Sequence, residues 1–209
     1  MIYSWKEGKE KVQEKIHFYH INDLHSHFEN WPQIEQFLYE RVKLHQETGE
    51  ESIIVDLGDH VDRAHPYTEA TLGRANVALL NRIGCQYATI GNNEGITLSK
   101  DELDALYEDA SFQVIVSNLY NKNGERPQWA EPYRIHVTKK GTRIAFIGAT
   151  AYYRLFYKEL DWTIEEPIEE IRKLVAVLKE KCDVMVLLSH LGLDLDEAIA
   201  SEMPEIRLI

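Results

Sequence analysis

The chain has 209 residues, 44% apolar and 28% charged, a balance that fits a soluble globular fold and excludes a disordered or fibrous one. Its 35 acidic residues against 23 basic ones leave a formal charge of −12, which argues against gripping a nucleic-acid polymer through its phosphates. No apolar run approaches the length of a membrane-spanning helix, and the charged stretch 1–15 lacks the apolar core of a secretory signal. Cys85 and Cys182 sit far apart beside apolar runs and read as buried free thiols. Together these features predict a cytoplasmic protein with no membrane association.

Residues 1–15 read as a polar extension with Trp5 as its one large anchor. A strand follows over 15–21, ending at Asp23, His25 and His27. Asn30-Trp31-Pro32 predicts a helix start, with Asn30 as cap and Pro32 at an early position. Ile34, Phe37, Leu38 and Val42 keep helical spacing, and Gly49 ends the run. The nearly continuous apolar stretch 52–57 predicts a strand buried on both faces, and Gly58-Asp59 stands at its end. A loop over 64–70, a helix over 72–83 and a strand over 85–90 come next, followed by Gly91-Asn92-Asn93-Glu94.

Ser99 and Glu102 form a capping-box pattern that opens a helix to residue 109. A strand over 112–117 ends in Ser117-Asn118. A loop over 121–132 leads to a hairpin, 133–137 with 143–147, turning at Lys140-Gly141. The aromatic stretch 148–158 reads as irregular. An amphipathic helix over 167–181 precedes an apolar strand over 183–188, which ends in Ser189-His190. A helix over 194–201 and the start of another strand complete the chain. The alternation predicts an α/β architecture with one domain over 16–209.

Several strand ends thus carry ligand-type side chains: Asp23 with His25, then Asp59, Asn92 and His190. In an open α/β sheet such ends lie side by side, so these groups can meet. Two carboxylates, two imidazoles and an amide oxygen are too many for a closed structural zinc site. They suit two divalent ions sharing a carboxylate, an arrangement used for displacement at phosphorus.

Asp-x-His, then Gly-Asp, then Gly-Asn-x-Glu, then Ser-His-Leu-Gly resembles the calcineurin-like metallophosphoesterases, in their 5′-nucleotidase branch. The likeness extends to Ser117-Asn118-Leu119 and to Ile144-Ala-Phe-Ile-Gly-Ala-Thr150. It implies a four-layer α/β/β/α sandwich of two mixed sheets flanked by helices. It implies that Asp23 and His25 hold one ion, Asp59 bridges, and Asn92 and His190 hold the second, the ions being Mn²⁺, Zn²⁺ or Fe. A metal-bridging hydroxide would then attack a small phosphoester, a nucleotide by preference. The substrate-binding residues are not readable, nor is the oligomeric state.

Two departures qualify the resemblance. The family's catalytic histidine is here Asn93, and the acid often paired with it is Ile96. An amide can donate a hydrogen bond to a phosphoryl oxygen but cannot transfer a proton. The family's Gly-His-x-His motif, expected after a strand like Ile206-Arg-Leu-Ile209, does not appear, which predicts a domain incomplete at its C-terminus. Weak or partial metal occupancy and low activity of these 209 residues would follow. The alternative is a weakened homologue that binds a nucleotide or partner without turnover.

Other residues attract blander readings. Asp62 and Arg63 read as a local ion pair. His27, His60 and His65 read as loop residues or as groups orienting a ligand, and His17, His20, His45 and His136 as packing or surface. Arg74 and Arg154 read as surface rather than phosphate-holding. Tyr152, Tyr153, Phe156 and Tyr157 read as core or interface rather than as a base-stacking face, and Cys85 has no visible activation.

Overall fold

The computed structural model describes residues 14–209, so most of the expected N-terminal extension, Trp5 included, lies outside the described residues. In chain order the elements are β1 (Ile16–Ile21), α1 (Trp31–Thr48), β2 (Glu51–Asp56), α2 (Pro66–Thr71), α3 (Arg74–Arg82) and β3 (Tyr87–Ala88). Then come α4 (Asn92–Thr97), α5 (Lys100–Leu106), β4 (Gln113–Ile115), β5 (Leu119–Asn121), β6 (Ala130–Glu131), β7 (Tyr133–Val137) and β8 (Arg143–Thr150). The chain closes with α6 (Arg154–Glu159), β9 (Trp162–Ile164), α7 (Pro167–Leu178), β10 (Val184–His190), α8 (Leu193–Glu202) and β11 (Ile206–Leu208).

Five strands form a sheet in the order β1-β2-β3-β4-β6, parallel at every pair. Four form a second sheet, β11-β10-β8-β7, parallel except where β7 meets β8. β5 and β9 make a small antiparallel pair. The two large sheets pack face to face because their strands alternate. In β8, Ile144 and Phe146 point between the sheets, while Ala145, Ile147 and Ala149 point to the α7 side. In β10, Val184, Val186 and Leu188 face inward, and Met185 and Leu187 face outward.

Ile53, Val55, Tyr87 and Ile115 complete the inner layer from the first sheet. Burial of each such side chain contributes roughly 1.5–3 kcal/mol. Helices cover the outer faces, with α3 and α5 on the first sheet and α7 and α8 on the second. The expected four-layer α/β/β/α sandwich is therefore observed, with one sheet wholly parallel and the other mixed.

The sheets approach closely at Gly148, where a Cβ would lie 1.8 Å from the Ile115 carbonyl oxygen. Beside it the Ser117 N–H donates to the Gly148 carbonyl at 2.7 Å. The Asn118 side chain donates to the Thr150 carbonyl at 2.9 Å and accepts from the Thr150 N–H at 3.0 Å. These bonds bring the C-terminal ends of β4 and β8 together, so that both sheets deliver their loops to one side.

Several expectations need correction. The expected loop over 64–70 holds α2, which starts at Pro66 with the His65 ring accepting from the Tyr67 N–H. The expected helix over 72–83 is broken before it begins, because Leu72 (φ +50°) and Gly73 (φ +81°) are left-handed. Asn30 does not cap α1 with its side chain; it ends a short 3-10 turn, and helical backbone runs straight through it. The stretch 148–158 is ordered, since β8 continues to Thr150 and α6 follows. Strands β5, β6 and β9, each two or three residues long, offer too little pattern to read in advance.

Candidate metal centre

The parallel pairing of β1 with β2 continues past the strands into the loops. The N–H groups of Asp23, His25 and Ser26 donate to the carbonyls of Gly58, Asp59 and His60 at 3.2, 2.9 and 3.0 Å. To do this the chain adopts left-handed backbone at Asp23, His25, Ser26 and Asp59. These are four of the six non-glycine residues with positive φ among those described. Strain of this kind, about 1–3 kcal/mol per residue, gathers where a site fixes its side chains. A buried network holds it in place. Ser26 Oγ accepts from the Asp62 N–H, the Asn76 amide and the Thr68 hydroxyl, at 2.8, 3.0 and 2.8 Å.

Glycine lets the next loop close in. A Cβ on Gly58 would lie 2.2 Å from the Gly91 nitrogen, and a Cβ on Gly91 only 2.0 Å from Asp59 Oδ1. Glu94, fully buried in the first turn of α4, then accepts from the N–H groups of Asp59, Gly91 and Val61 at 2.9, 2.8 and 2.8 Å. One carboxylate thus ties the loop after β2 to the start of α4. His60 lies buried between Glu94 and Asp56, with Nδ1 3.5 and 3.0 Å from their oxygens. Burial alone would lower its pKa, but Glu94 and Asp56 outweigh it and lift it to about 9. His60 thus sits in the loop after β2, as expected, but wholly buried, where it links Asp56 to the Glu94 carboxylate that holds the Asp59 N–H. Sequence reading passed over Glu94, although its place three residues after Gly91 is a capping-box position.

Asp59 stands at the centre of the predicted ligands. Its Oδ2 is 3.6 Å from His25 Nε2, and its Oδ1 is 3.6 Å from His190 Nε2. Asp23 Oδ1 lies 3.4 Å from His25 Nε2. The ligand atoms of Asp23, Asp59 and His190 all lie within 4.8 Å of one another. Asn92 lines the same cleft, of about 410 Å³, together with Asp23 and His190. The structure brings all five predicted residues to one place.

His190 comes from the second sheet. Its Nδ1–H donates to the Leu57 carbonyl at 2.8 Å, which turns Nε2 toward Asp59. Burial opposes its charging, but the Asp59 carboxylate raises its pKa to about 9. Burial likewise opposes ionisation of Asp59, yet His190 and the Asn93 N–H hold its carboxyl below the usual range. The carboxylate is thus kept charged, and an ion bound beside it would displace the proton that His190 otherwise holds, since a ligating imidazole is neutral.

The donors fit the divalent ions that the fold implies. Carboxylates and imidazoles in one cleft are the mixed O/N set of Mn²⁺, Zn²⁺ and Fe sites. A single carboxylate whose two oxygens face two different imidazoles is placed to serve two ions.

Asn93 behaves differently from the expectation. Its side-chain amide donates to the Val61 carbonyl at 2.9 Å and meets His25 Nδ1 at 2.9 Å. Both amide hydrogens are engaged within the protein, so neither is free for a phosphoryl oxygen. With Nδ1 accepting that bond, the His25 ring carries a hydrogen on Nε2, which faces Asp23 and Asp59 at 3.4 and 3.6 Å; an ion held there would displace it, with the amide oxygen of Asn93 turned to accept from Nδ1–H. We predict that Asn93→Ala weakens divalent-ion binding about ten- to hundredfold, as loss of a ligand's hydrogen-bond partner does. Calorimetric titration with Zn²⁺ checks this, and an unchanged affinity would show that His25 is held by other contacts.

The remaining candidates separate cleanly. Arg63 pairs with Glu69 at 2.7 Å, not with Asp62. Arg74 pairs with Glu108, and His27 with Glu29. Cys85 is buried and its thiol is pushed well up by that burial, so it is no nucleophile. His17, His45 and Glu50 form a second cluster at the start of β1, away from the cleft. The two rings stack 3.6 Å apart at 15°, so their in-plane lone pairs run nearly parallel and cannot converge on one ion. Glu50 instead takes a 2.8 Å bond from His17, which ties β1 to the start of β2.

Two face-packed sheets thus send carboxylates and imidazoles from their strand ends into one cleft. The chain belongs to the calcineurin-like phosphoesterase family, whose profile matches residues 16–207. Members of that family use divalent metals. Over 198 residues the chain is 52% identical to YunD of Bacillus subtilis (strain 168), an uncharacterized metallophosphoesterase. That match covers 95% of this chain and 43% of YunD, so the chain spans less than half the length of this relative.

Among solved structures, the Haemophilus influenzae NAD nucleotidase NadN matches with a TM-score of 0.76 and 22% identity, over 88% of this chain and 35% of NadN. A 5′-nucleotidase precursor from Thermus thermophilus matches with a TM-score of 0.73 and 23% identity, over 88% of this chain and 38% of that protein. At these identities the likeness is one of fold. No helix among the described residues is long and apolar enough to cross a membrane.

Proposed function

We propose that the protein is a metal-dependent phosphoester hydrolase acting on nucleotides or related small phosphoesters. The observation that carries this reading is Asp59, whose two carboxylate oxygens face His25 and His190 from opposite sheets at 3.6 Å each. On this reading Asp23 and His25 hold one divalent ion, Asn92 and His190 a second, and Asp59 serves both. When bound, the two ions supply Lewis acidity at phosphorus and an activated water at neutral pH. The chain's own residues do the rest. The Leu57 carbonyl and the Asn93 amide orient the two imidazoles, and Glu94 keeps the loop after β2 against α4.

With Asn93 turned inward, no side chain at that position protonates the leaving group. The reading therefore predicts a preference for esters whose leaving group needs little protonation, since general acid help is worth ~10²–10⁴-fold. Activated aryl phosphates should turn over faster than alkyl phosphates by at least tenfold. A flat dependence on leaving-group pKa would point instead to another acid in the cleft.

The same inward Asn93 is the observation that favours a second reading, a homologue that binds nucleotides without hydrolysing them. The presence of Asp23, His25, Asp59, Asn92 and His190 supports the enzyme over this alternative. Metal-dependent turnover of a nucleotide panel by the protein at its full native length separates the two.

A further inference from the structure

The aromatic stretch after β8 divides in a way that its sequence did not suggest. Tyr157 is core. It is wholly buried against Gly95, and its hydroxyl is 3.3 Å from the Thr150 hydroxyl. Tyr152, Tyr153 and Phe156 are not; they stand 39, 46 and 62% exposed. The topology explains where they stand. Thr150, the last residue of β8, is paired with His190, the last residue of β10. The chain therefore leaves the sheet directly beside a predicted metal ligand.

Tyr153 lines the same cleft as Asp23, Asn92 and His190. Its ring and that of Phe156 lie edge to face, with centroids 6.3 Å apart at 81°. Its backbone is fixed, because the Tyr153 carbonyl accepts the first helical N–H of α6, from Tyr157, at 3.1 Å. On the same cleft Leu193, at the start of α8, is 72% exposed. One cleft thus holds a charged end of carboxylates and imidazoles and a rim with an exposed aromatic ring and an exposed aliphatic side chain. Large apolar groups held in water beside a polar site suit a ligand with both characters.

We propose that Tyr153 is a substrate-binding residue that stacks on the nucleobase of a nucleotide whose phosphate lies at the Asp23–Asp59–His190 end. This rests on the phosphoester reading of the cleft and names the substrate class for it. A phenol ring offers a flat face of about the area of a base, and such stacking is tolerant of base identity. The protein would then separate nucleotides from sugar phosphates while discriminating little among the bases.

The test compares AMP with ribose 5-phosphate, which share the ribose 5-phosphate portion and differ in the base. Binding of each is measured by calorimetry in the presence of Zn²⁺, on the protein at its full native length, as wild type, Tyr153→Ala and Tyr153→Phe. Circular dichroism confirms the fold, which this exposed position should not disturb. Tyr153→Ala should weaken AMP about tenfold or more, the loss typical of one base stack. It should leave ribose 5-phosphate within twofold, and Tyr153→Phe should retain wild-type AMP affinity.

Equal weakening of both ligands, no weakening of either, or no AMP binding by the wild type would overturn the proposal. Hydrolysis assays run in parallel keep the two claims apart. AMP turnover with an unchanged KM in Tyr153→Ala would sink the stacking role and leave the phosphoesterase reading standing. Tyr153-dependent AMP binding without turnover of any ester would do the reverse.

Discussion

Replacing Glu94 by alanine is expected to destabilise the protein by about 3–5 kcal/mol. The change leaves three buried N–H groups without an acceptor and removes one of the two carboxylates that balance the buried His60 cation. Each unsatisfied buried group costs roughly 1–3 kcal/mol, and breaking a buried ion pair costs about 3–5 kcal/mol. These terms overlap, so the upper end of that range bounds the sum. At this chain length about 1 kcal/mol moves the melting temperature by ~2–4 °C, which predicts a fall of roughly 6–20 °C. Differential scanning calorimetry of Glu94→Ala and Glu94→Gln measures it. Glutamine keeps an acceptor oxygen but loses the charge, so it should fall between alanine and wild type. Equal losses in the two variants would assign the effect to charge alone.

Gly91→Ala should act on the site more than on the fold. The added Cβ would sit 2.0 Å from Asp59 Oδ1 and 2.5 Å from the Asp59 nitrogen. Asp59 must move, and with it the carboxylate that faces both imidazoles. A displacement of about 1 Å is enough to reduce turnover by ~10²-fold where ligands must be placed together. Divalent-ion binding should weaken markedly while the circular dichroism spectrum stays that of the wild type. An alanine variant that binds ions as the wild type does would mean that the close approach of the two loops is not what places Asp59.

The parts of this architecture that could be read in advance are those written in strong periodicity or at strand ends. The apolar runs of β2 and β10 mark buried strands, and Asp59 and His190 close them or follow at once. Their convergence follows from parallel pairing, so the candidate ligands were legible. The failures have local causes. Leu72 takes left-handed backbone with no sequence signal except the Gly73 that follows it. Three-residue strands such as β9 show no period.

The directions of side chains were also beyond reach. Nothing in Gly91-Asn-Asn-Glu94 says that Asn93 points to His25 and Val61. The role of Glu94 was hidden because Gly91, as cap, has no side chain to complete the familiar pattern. Tyr153 and Tyr157 lie four residues apart in similar surroundings, yet only the second reaches the core.

On the proposed reading Asp59, placed between His25 and His190, organises an ion-dependent phosphohydrolase. Its most direct test is hydrolysis of an activated aryl phosphate and a nucleotide panel by the protein at its full native length, with and without added Mn²⁺, beside Asp59→Ala. Turnover that requires Mn²⁺ and disappears in Asp59→Ala, with the variant still folded, is the predicted result. Turnover that survives the loss of Asp59, or a wild type that binds two ions and hydrolyses nothing, would contradict it.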